Sequence, residues 1–259
     1  MITNWKVTGD THGNMKRFEN LPASFDMETL GIIILGDAGC NYYKNKKDHW
    51  TKMSLEKIGC MFYCVRGNHE ERPENIKTMQ TMYDEDVAGE VYYEPDYPHI
   101  HYFKDGGVYT IGGHKTLVIG GAYSVDKFYR LQMGYMWFPQ EQLTADEMKK
   151  IESEAFGEKF DFVFTHTCPI SWEPRDLFLN GINQSEVDKS MELWLDDLKD
   201  EINWTVWLFG HYHADRLERP GVEMFFTDID DLDVIWGRWT SGEELSWWLE
   251  KSPMFYEGE

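Results

Sequence analysis

Seven side chains able to hold a metal ion fall in five places along the 259 residues: Asp10 and His12, Asp37, Asn68, His166, and His211 and His213. Imidazoles, carboxylates and one amide, with no thiolate, suit Mn²⁺, Fe or Zn²⁺ better than Ca²⁺, and differ from a Cys-rich structural zinc site. Seven ligands exceed the needs of one tetrahedral ion. Two adjacent divalent ions sharing one carboxylate would use them all. Two ions about 3.5–4 Å apart lower the pKa of a bridging water and hold both non-bridging oxygens of a phosphate for in-line attack. His69, beside Asn68, is the spare imidazole, placed to protonate the departing oxygen.

Taken singly, each piece has an ordinary structural use. Asp10-Thr11-His12 fits a turn closed by an Asx hydrogen bond, Asp37 a helix cap, and His166 a packed histidine. Their weight comes from position, because each cluster follows a segment that reads as a strand. Residues 5–8 lead to Gly9-Asp10-Thr11-His12. Residues 31–36, a continuous β-branched run bounded by glycines, read as a central strand buried on both faces and lead to Asp37. Residues 61–65 lead to Gly67-Asn68-His69-Glu70, residues 160–165 to His166, and residues 204–209 to Gly210-His211-Tyr212-His213. The carboxyl ends of strands are where open α/β sheets build sites.

Helices are expected over residues 15–20, 47–58 and 144–156, the last opened by the capping box Thr144-Ala145-Asp146-Glu147. Strand, loop and helix alternate over the first seventy residues, which favours a parallel sheet with helical crossovers. Residues 108–111 and 116–119 form a hairpin joined through Gly112-Gly113-His114-Lys115. Residues 185–201 form an amphipathic helix with Val187, Met191, Trp194, Leu195 and Leu198 on one face. Residues 221–228 and 232–236 read as strands, and 243–249 as a terminal helix. No repeat or linker divides the chain, so residues 1–259 are expected to form a single domain, with a cap-like insertion around 83–110 rich in Tyr, Asp, Glu and Pro.

A hydrophobic fraction of 42% marks a folded protein. No run approaches the roughly 20 apolar residues of a membrane span. The first residues show no secretory signal, and the four cysteines Cys40, Cys60, Cys64 and Cys168 form no disulfide framework, so a cytoplasmic protein without a membrane partner is expected. The net charge of −21 disfavours extended nucleic acid. It also repels a small phosphorylated substrate unless bound cations reverse the local field.

The motifs Gly9-Asp10-Thr11-His12, Gly36-Asp37-Ala38-Gly39, Gly67-Asn68-His69-Glu70, Thr165-His166 and Gly210-His211-Tyr212-His213 span about four-fifths of the chain. In their order and spacing the sequence resembles the calcineurin-like metallophosphoesterase superfamily. The resemblance implies an α/β (α+β) fold, a four-layer αββα sandwich of two mixed β-sheets flanked by helices with the site at the strand ends. It implies that Asp10, His12 and His213 bind one metal and Asn68, His166 and His211 the other, with Asp37 bridging and His69 the catalytic acid. The implied activity is hydrolysis of phosphomonoester or phosphodiester bonds by a metal-bridging hydroxide. Alternatives are a nuclease, a cyclic-nucleotide or dinucleoside-polyphosphate hydrolase, or a metal-binding scaffold without catalysis.

Arg66-Gly67-Asn68-His69-Glu70 is similar to the phosphoprotein phosphatase branch. There the second motif continues to an Asp that orients the catalytic His and an Arg that grips phosphate. Cys40 and Asn41 stand in those places here, which argues against Ser/Thr protein phosphatase activity and requires another group to orient His69. The stretch Gly120 to Lys127 is similar to one in bacterial and phage-type members. Arg66, Asp126 and Arg130 are accordingly candidate substrate-binding residues.

Overall fold

The computed structural model describes residues 1–241. In chain order the elements are β1 (Asn4–Thr8), α1 (Lys16–Glu19), β2 (Leu30–Ile34), α2 (Lys46–Glu56), β3 (Met61–Cys64), β4 (Gln80–Asp84), β5 (Gly89–Glu94), β6 (Tyr97–Phe103), β7 (Gly107–Ile111) and β8 (His114–Ile119). They continue with α3 (Lys127–Met133), α4 (Ala145–Ala155), β9 (Lys159–Thr165), α5 (Ser190–Glu201), β10 (Asn203–Phe209), β11 (Arg216–Arg219), β12 (Val222–Met224), β13 (Asp230–Asp231) and α6 (Leu232–Thr240). One sheet runs β13-β1-β2-β3-β6-β5-β4 and the other β11-β12-β10-β9-β8-β7. Both are mixed. In the first, β1, β2, β3 and β6 are parallel; in the second, β8, β9, β10 and β12 are.

Strand side chains alternate faces, and this produces four layers from three apolar interfaces. Ile33, Leu35, Tyr63 and Val65 of the first sheet meet Phe162, Phe164, Val206 and Leu208 of the second in the central core. On the other face of the first sheet, Ile32, Ile34, Phe62 and Cys64 pack with Phe18 of α1 and Leu55 of α2. The outer face of the second sheet sets Val163, Trp207 and Phe209 against Met148 and Ile151 of α4 and Leu195 and Leu198 of α5. This is the αββα arrangement expected. The run around Ile32–Ile34 is fully buried on both faces, between β1 and β3.

Several local expectations are corrected. Residues 83–110, expected as a cap-like insertion, instead supply β4, β5 and β6 to the edge of the first sheet and β7 to the edge of the second. The β7–β8 turn is Gly112-Gly113 alone, both at positive φ (58° and 85°), as a two-residue hairpin requires. Residues 185–189 are outside the helix: Gln184–Glu186 is a 3-10 turn, and Asp188 accepts the Ser190 N–H at 3.0 Å where α5 begins. Residues 232–236 are helical, because Asp231 caps the N–H groups of Asp233 and Val234. Only Val222–Met224 of the expected 221–228 strand pairs, since Asp215 gathers the N–H groups of Phe226, Thr227 and Asp228 and turns the chain. The expected helix over 243–249 lies outside the described residues. All four cysteines are free and buried. Among the described residues, no helix is long and apolar enough to cross a membrane.

Candidate metal centre

The loops after β1, β2, β3, β8, β9 and β10 all leave the carboxyl ends of parallel strands, and backbone hydrogen bonds tie them to one another. Thr11 and His12 donate to the Asp37 carbonyl, Gly210 donates to that of His166, and Gly121 to that of Arg66. Among the described residues, four of the six non-glycine residues at positive φ are candidate ligands: His12 and Asp37 (46°), His211 (69°) and His213 (55°). This left-handed backbone is unfavourable for such residues and concentrates at functional sites. Three glycines make room. A Cβ on Gly36 would lie 2.0 Å from His166 Nδ1, one on Gly67 1.9 Å from Asp37 Oδ1, and one on Gly210 2.5 Å from Asp10 Oδ1.

The seven predicted ligands gather at this rim: the ligand atoms of Asp10, His12, Asp37, His166 and His213 converge in two groups, Asn68 faces His166, and the His211 ring lies 5.0 Å from that of His166. Asp10 is buried, accepts the His211 N–H at Oδ1 (2.9 Å), and turns Oδ2 towards His213 Nε2 (3.3 Å) and His12 Nε2 (3.6 Å). The two ring nitrogens, His12 Nε2 and His213 Nε2, are 2.8 Å apart. Asp37 accepts the His69 N–H at Oδ1 (2.8 Å), leaving Oδ2 3.7 Å from His166 Nε2 and 3.8 Å from His12 Nδ1. Asp10 Oδ2 and Asp37 Oδ2 are both buried without a hydrogen-bond partner. Two groups of ligand atoms lie within 4.8 Å of one another: Asp10, His12 and His213, and Asp10, Asp37 and His166.

Hydrogen-bond logic shows that these atoms fit a cation. His166 Nδ1 faces the Leu35 carbonyl at 2.8 Å and must donate to it, so the neutral ring offers a lone pair at Nε2. That lone pair faces Asn68 Oδ1 at 2.8 Å. The amide cannot usefully turn over, because Asn68 Nδ2 donates to Ser124 Oγ (2.8 Å), which donates to Glu141 Oε2 (2.6 Å). With the ring neutral, as a metal requires, two acceptors converge in the way that two ligands of one ion do; with Nε2 protonated, the ring donates to Asn68 Oδ1 instead.

Protonation agrees. Burial opposes ionisation of both carboxylates, yet the surrounding imidazoles win: His166, His213 and His12 hold Asp10 low, and His69, His166 and His12 hold Asp37 low. Burial, reinforced by His166, pushes His211 down to about 3. His213 is raised by the Asp10 carboxylate, whose Oδ2 its Nε2 faces at 3.3 Å. Ionised carboxylates beside a neutral His211 match what a divalent metal requires.

His69 lines the same cavity of about 270 Å³ as His12, Asp37, Asn68, His211 and His213. Burial lowers its pKa, with Asp37 opposing and Arg130 adding to the effect. Its Nε2 lies 3.3 Å from Arg130 Nη2. Arg130 is held by Asp126 Oδ2 at 2.7 Å and by the Tyr42 hydroxyl at 3.0 Å. Asp126 and Arg130 therefore both reach the cavity, and Arg130 stands beside His69 where the Asp of the phosphatase branch is missing. Arg66 does not reach it. Its guanidinium is buried and donates to Asp105 (2.7 Å) and to the carbonyls of Glu141 (2.7 Å) and Gly120 (3.1 Å), so its place among the substrate contacts is corrected to that of a structural strut. Glu70 is likewise internal, accepting the Gly67 N–H (3.0 Å), and burial pushes its carboxyl up to about 8.

Four contributors were not visible in the sequence. Ser124 and Glu141 orient Asn68; Tyr42 supports Arg130; Arg17 donates to the Asp10 carbonyl (2.7 Å) and Thr8 Oγ1 (2.9 Å), bracing the first loop. Only Ser124 had a local signal, lying in the Gly120–Lys127 stretch. Trp137 donates to Glu141 Oε2 at 2.9 Å and so belongs to the Asn68 support.

Among solved structures, the chain is similar to a phosphopantetheinyl hydrolase from Mycobacterium tuberculosis at 14% identity, covering 96% of this chain and 93% of that one with a TM-score of 0.45. No curated protein matches it in sequence. The family model for calcineurin-like phosphoesterases matches residues 6–215, a span that holds every candidate ligand described above. The chain belongs to the calcineurin-like phosphoesterase family and is a metal-dependent phosphoesterase.

Proposed function

We propose that the protein hydrolyses a phosphomonoester or phosphodiester at a pair of divalent metal ions, of which Mn²⁺, Fe and Zn²⁺ suit the donor set. The observation that carries this reading is the pair of buried, unpartnered carboxylate oxygens, Asp10 Oδ2 and Asp37 Oδ2, set among imidazole nitrogens. Asp10, His12 and His213 would hold one ion and Asn68, His166 and His211 the other, with Asp37 between them. Bound there, the ions supply a nucleophilic water of lowered pKa and neutralise the phosphoryl oxygens.

The protein's own groups do the rest. Arg130, fixed by Asp126 and Tyr42, presents a guanidinium at the cavity for a phosphoryl oxygen. His69 Nε2, which accepts from Arg130 Nη2 here, would first take up a proton, with Arg130 turning to the phosphoryl group, and then pass it to the departing oxygen. The backbone tie from His69 to Asp37 sets the position of that ring relative to the metal ligands. The test is hydrolysis of an aryl phosphate and a bis-aryl phosphate by Mn²⁺-loaded protein. Turnover of either supports the reading, and inertness to both with stoichiometric metal bound removes it.

A further inference from the structure

The cavity containing the metal ligands is also lined by residues that neither hold a metal nor brace one. Leu177, Phe178, Leu179 and Ile182, from the irregular segment before α5, contribute apolar side chains to it. Apolar surface facing water is unfavourable, and here it is continuous with the place where a phosphoryl group would sit.

The charges nearby are already balanced. Lys189 Nζ lies 2.5 Å from Glu173 Oε1, with the Phe178 ring 4.9 Å away, and Arg130 is paired with Asp126. Three other lining residues carry buried oxygens that accept nothing: Asp126 Oδ1, Gln184 Oε1 and Glu192 Oε2. Glu192 is itself almost wholly buried, with Oε1 accepting from Thr167 Oγ1 at 2.9 Å. With Arg130 taken by the phosphoryl group, a second anionic group entering here would meet unpartnered carboxylate and amide oxygens and a Lys189 already paired with Glu173.

We propose that the substrate is the phosphoester of an uncharged, largely apolar alcohol, with its phosphoryl group at the metal ligands and its organic group against Leu177, Phe178, Leu179 and Ile182. This rests on the phosphoesterase reading above and narrows it. Oligonucleotides and dinucleoside polyphosphates, with further phosphates to place, are excluded by the same lining.

The test uses non-hydrolysable phosphonates titrated calorimetrically into the Mn²⁺-loaded full chain. Phenylethylphosphonate is expected to bind at least about tenfold more tightly than methylphosphonate, a modest gain for several buried methylenes. Phosphonopropanoate, similar in reach but with a second negative charge, is expected to bind no better than methylphosphonate. Leu179 is 62% exposed, so Leu179→Asp leaves the core untouched. It should collapse the phenylethyl-to-methyl ratio to below about threefold, as should Phe178→Ser. A wild-type ratio below about twofold, or a preference for phosphonopropanoate, overturns the proposal. The phosphoesterase reading is separated by assaying phenylethyl phosphate in parallel. Selective phosphonate binding without hydrolysis keeps this subsite and removes that reading; hydrolysis without selectivity does the reverse.

Discussion

At the scale of the residue, the site is defined as much by what holds the ligands as by the ligands. Asn68 is turned to present its oxygen because Ser124 Oγ accepts an N–H from its amide and Glu141 accepts the Ser124 hydroxyl. Ser124→Ala should therefore weaken the ion held by Asn68 and His166 by about 10–100-fold, the usual cost of losing an outer partner of a ligand. Competition with a chelator measures it, and an unchanged affinity would show that Asn68 needs no such support. His69→Asn should leave metal binding intact and slow esters of poorly leaving alcohols by about 10²–10⁴-fold, while aryl esters with good leaving groups suffer less. Equal loss for both classes would remove the proton-donor role. The candidate ligands were legible in sequence because each group of them follows a strand, four of the five groups directly after a glycine and His166 after Thr165. Their supports were not, because Glu141 and Tyr42 approach through the fold from distant positions without a motif. Arg66 misled for the converse reason: it sits in a motif, but the fold turns it towards Asp105 and the Glu141 carbonyl.

At the scale of the element, apolar runs that led into a glycine or a ligand motif were readable as strands, as in β1, β2 and β3, and the run after Asp231 was not. The Leu232–Trp236 run is too brief for periodicity to decide between strand and helix; the Asp231 cap and the apolar positions at Leu232, Ile235, Trp236 and Trp239 decide for helix. Residues 83–110 read as a cap-like insertion because polar and aromatic residues alternate there. That alternation is the pattern of strands with one face on the core, as in β5, where Val91 is buried between exposed Glu90 and half-buried Tyr92. A buried polar link secures this edge. Asp84, at the end of β4, accepts from the Tyr63 hydroxyl (2.9 Å) of β3 and faces His101 Nδ1 (2.7 Å) of β6. Burial works to raise the Asp84 pKa, but the His101, Asp86 and Tyr63 hydrogen bonds outweigh it and hold the carboxyl low. A lowered folded-state pKa contributes stability that is present above the ordinary carboxylate value and lost as pH falls through the folded one. Asp84→Asn should cost about 2 kcal/mol at neutral pH, and the mutant and wild-type urea midpoints should converge below about pH 4. Midpoints that stay parallel throughout acidification would show that Asp84 is not the group responsible.

At the scale of the whole molecule, two sheets converge so that six strand ends share one rim, and a chain of net charge −21 reserves that rim for cations. Unmetallated, the molecule repels phosphate. With the site filled, the attraction is local, while the surface remains acidic. Raising ionic strength should therefore leave kcat/KM for a small anionic ester unchanged or raise it by about twofold as the repulsion is screened. A steep fall with salt would indicate a ligand bound through many phosphates to a basic surface. The most direct measurement counts metal and turnover in the same samples. The chain is stripped by chelation and titrated with Mn²⁺, with bound ions per chain followed by elemental analysis alongside hydrolysis of an aryl phosphate. About two ions per chain are expected, with no turnover in the stripped protein, activity returning as the pair fills, and Asp37→Ala losing both. Full turnover in the stripped chain, or a filled pair that hydrolyses no ester, would contradict a two-metal phosphoesterase.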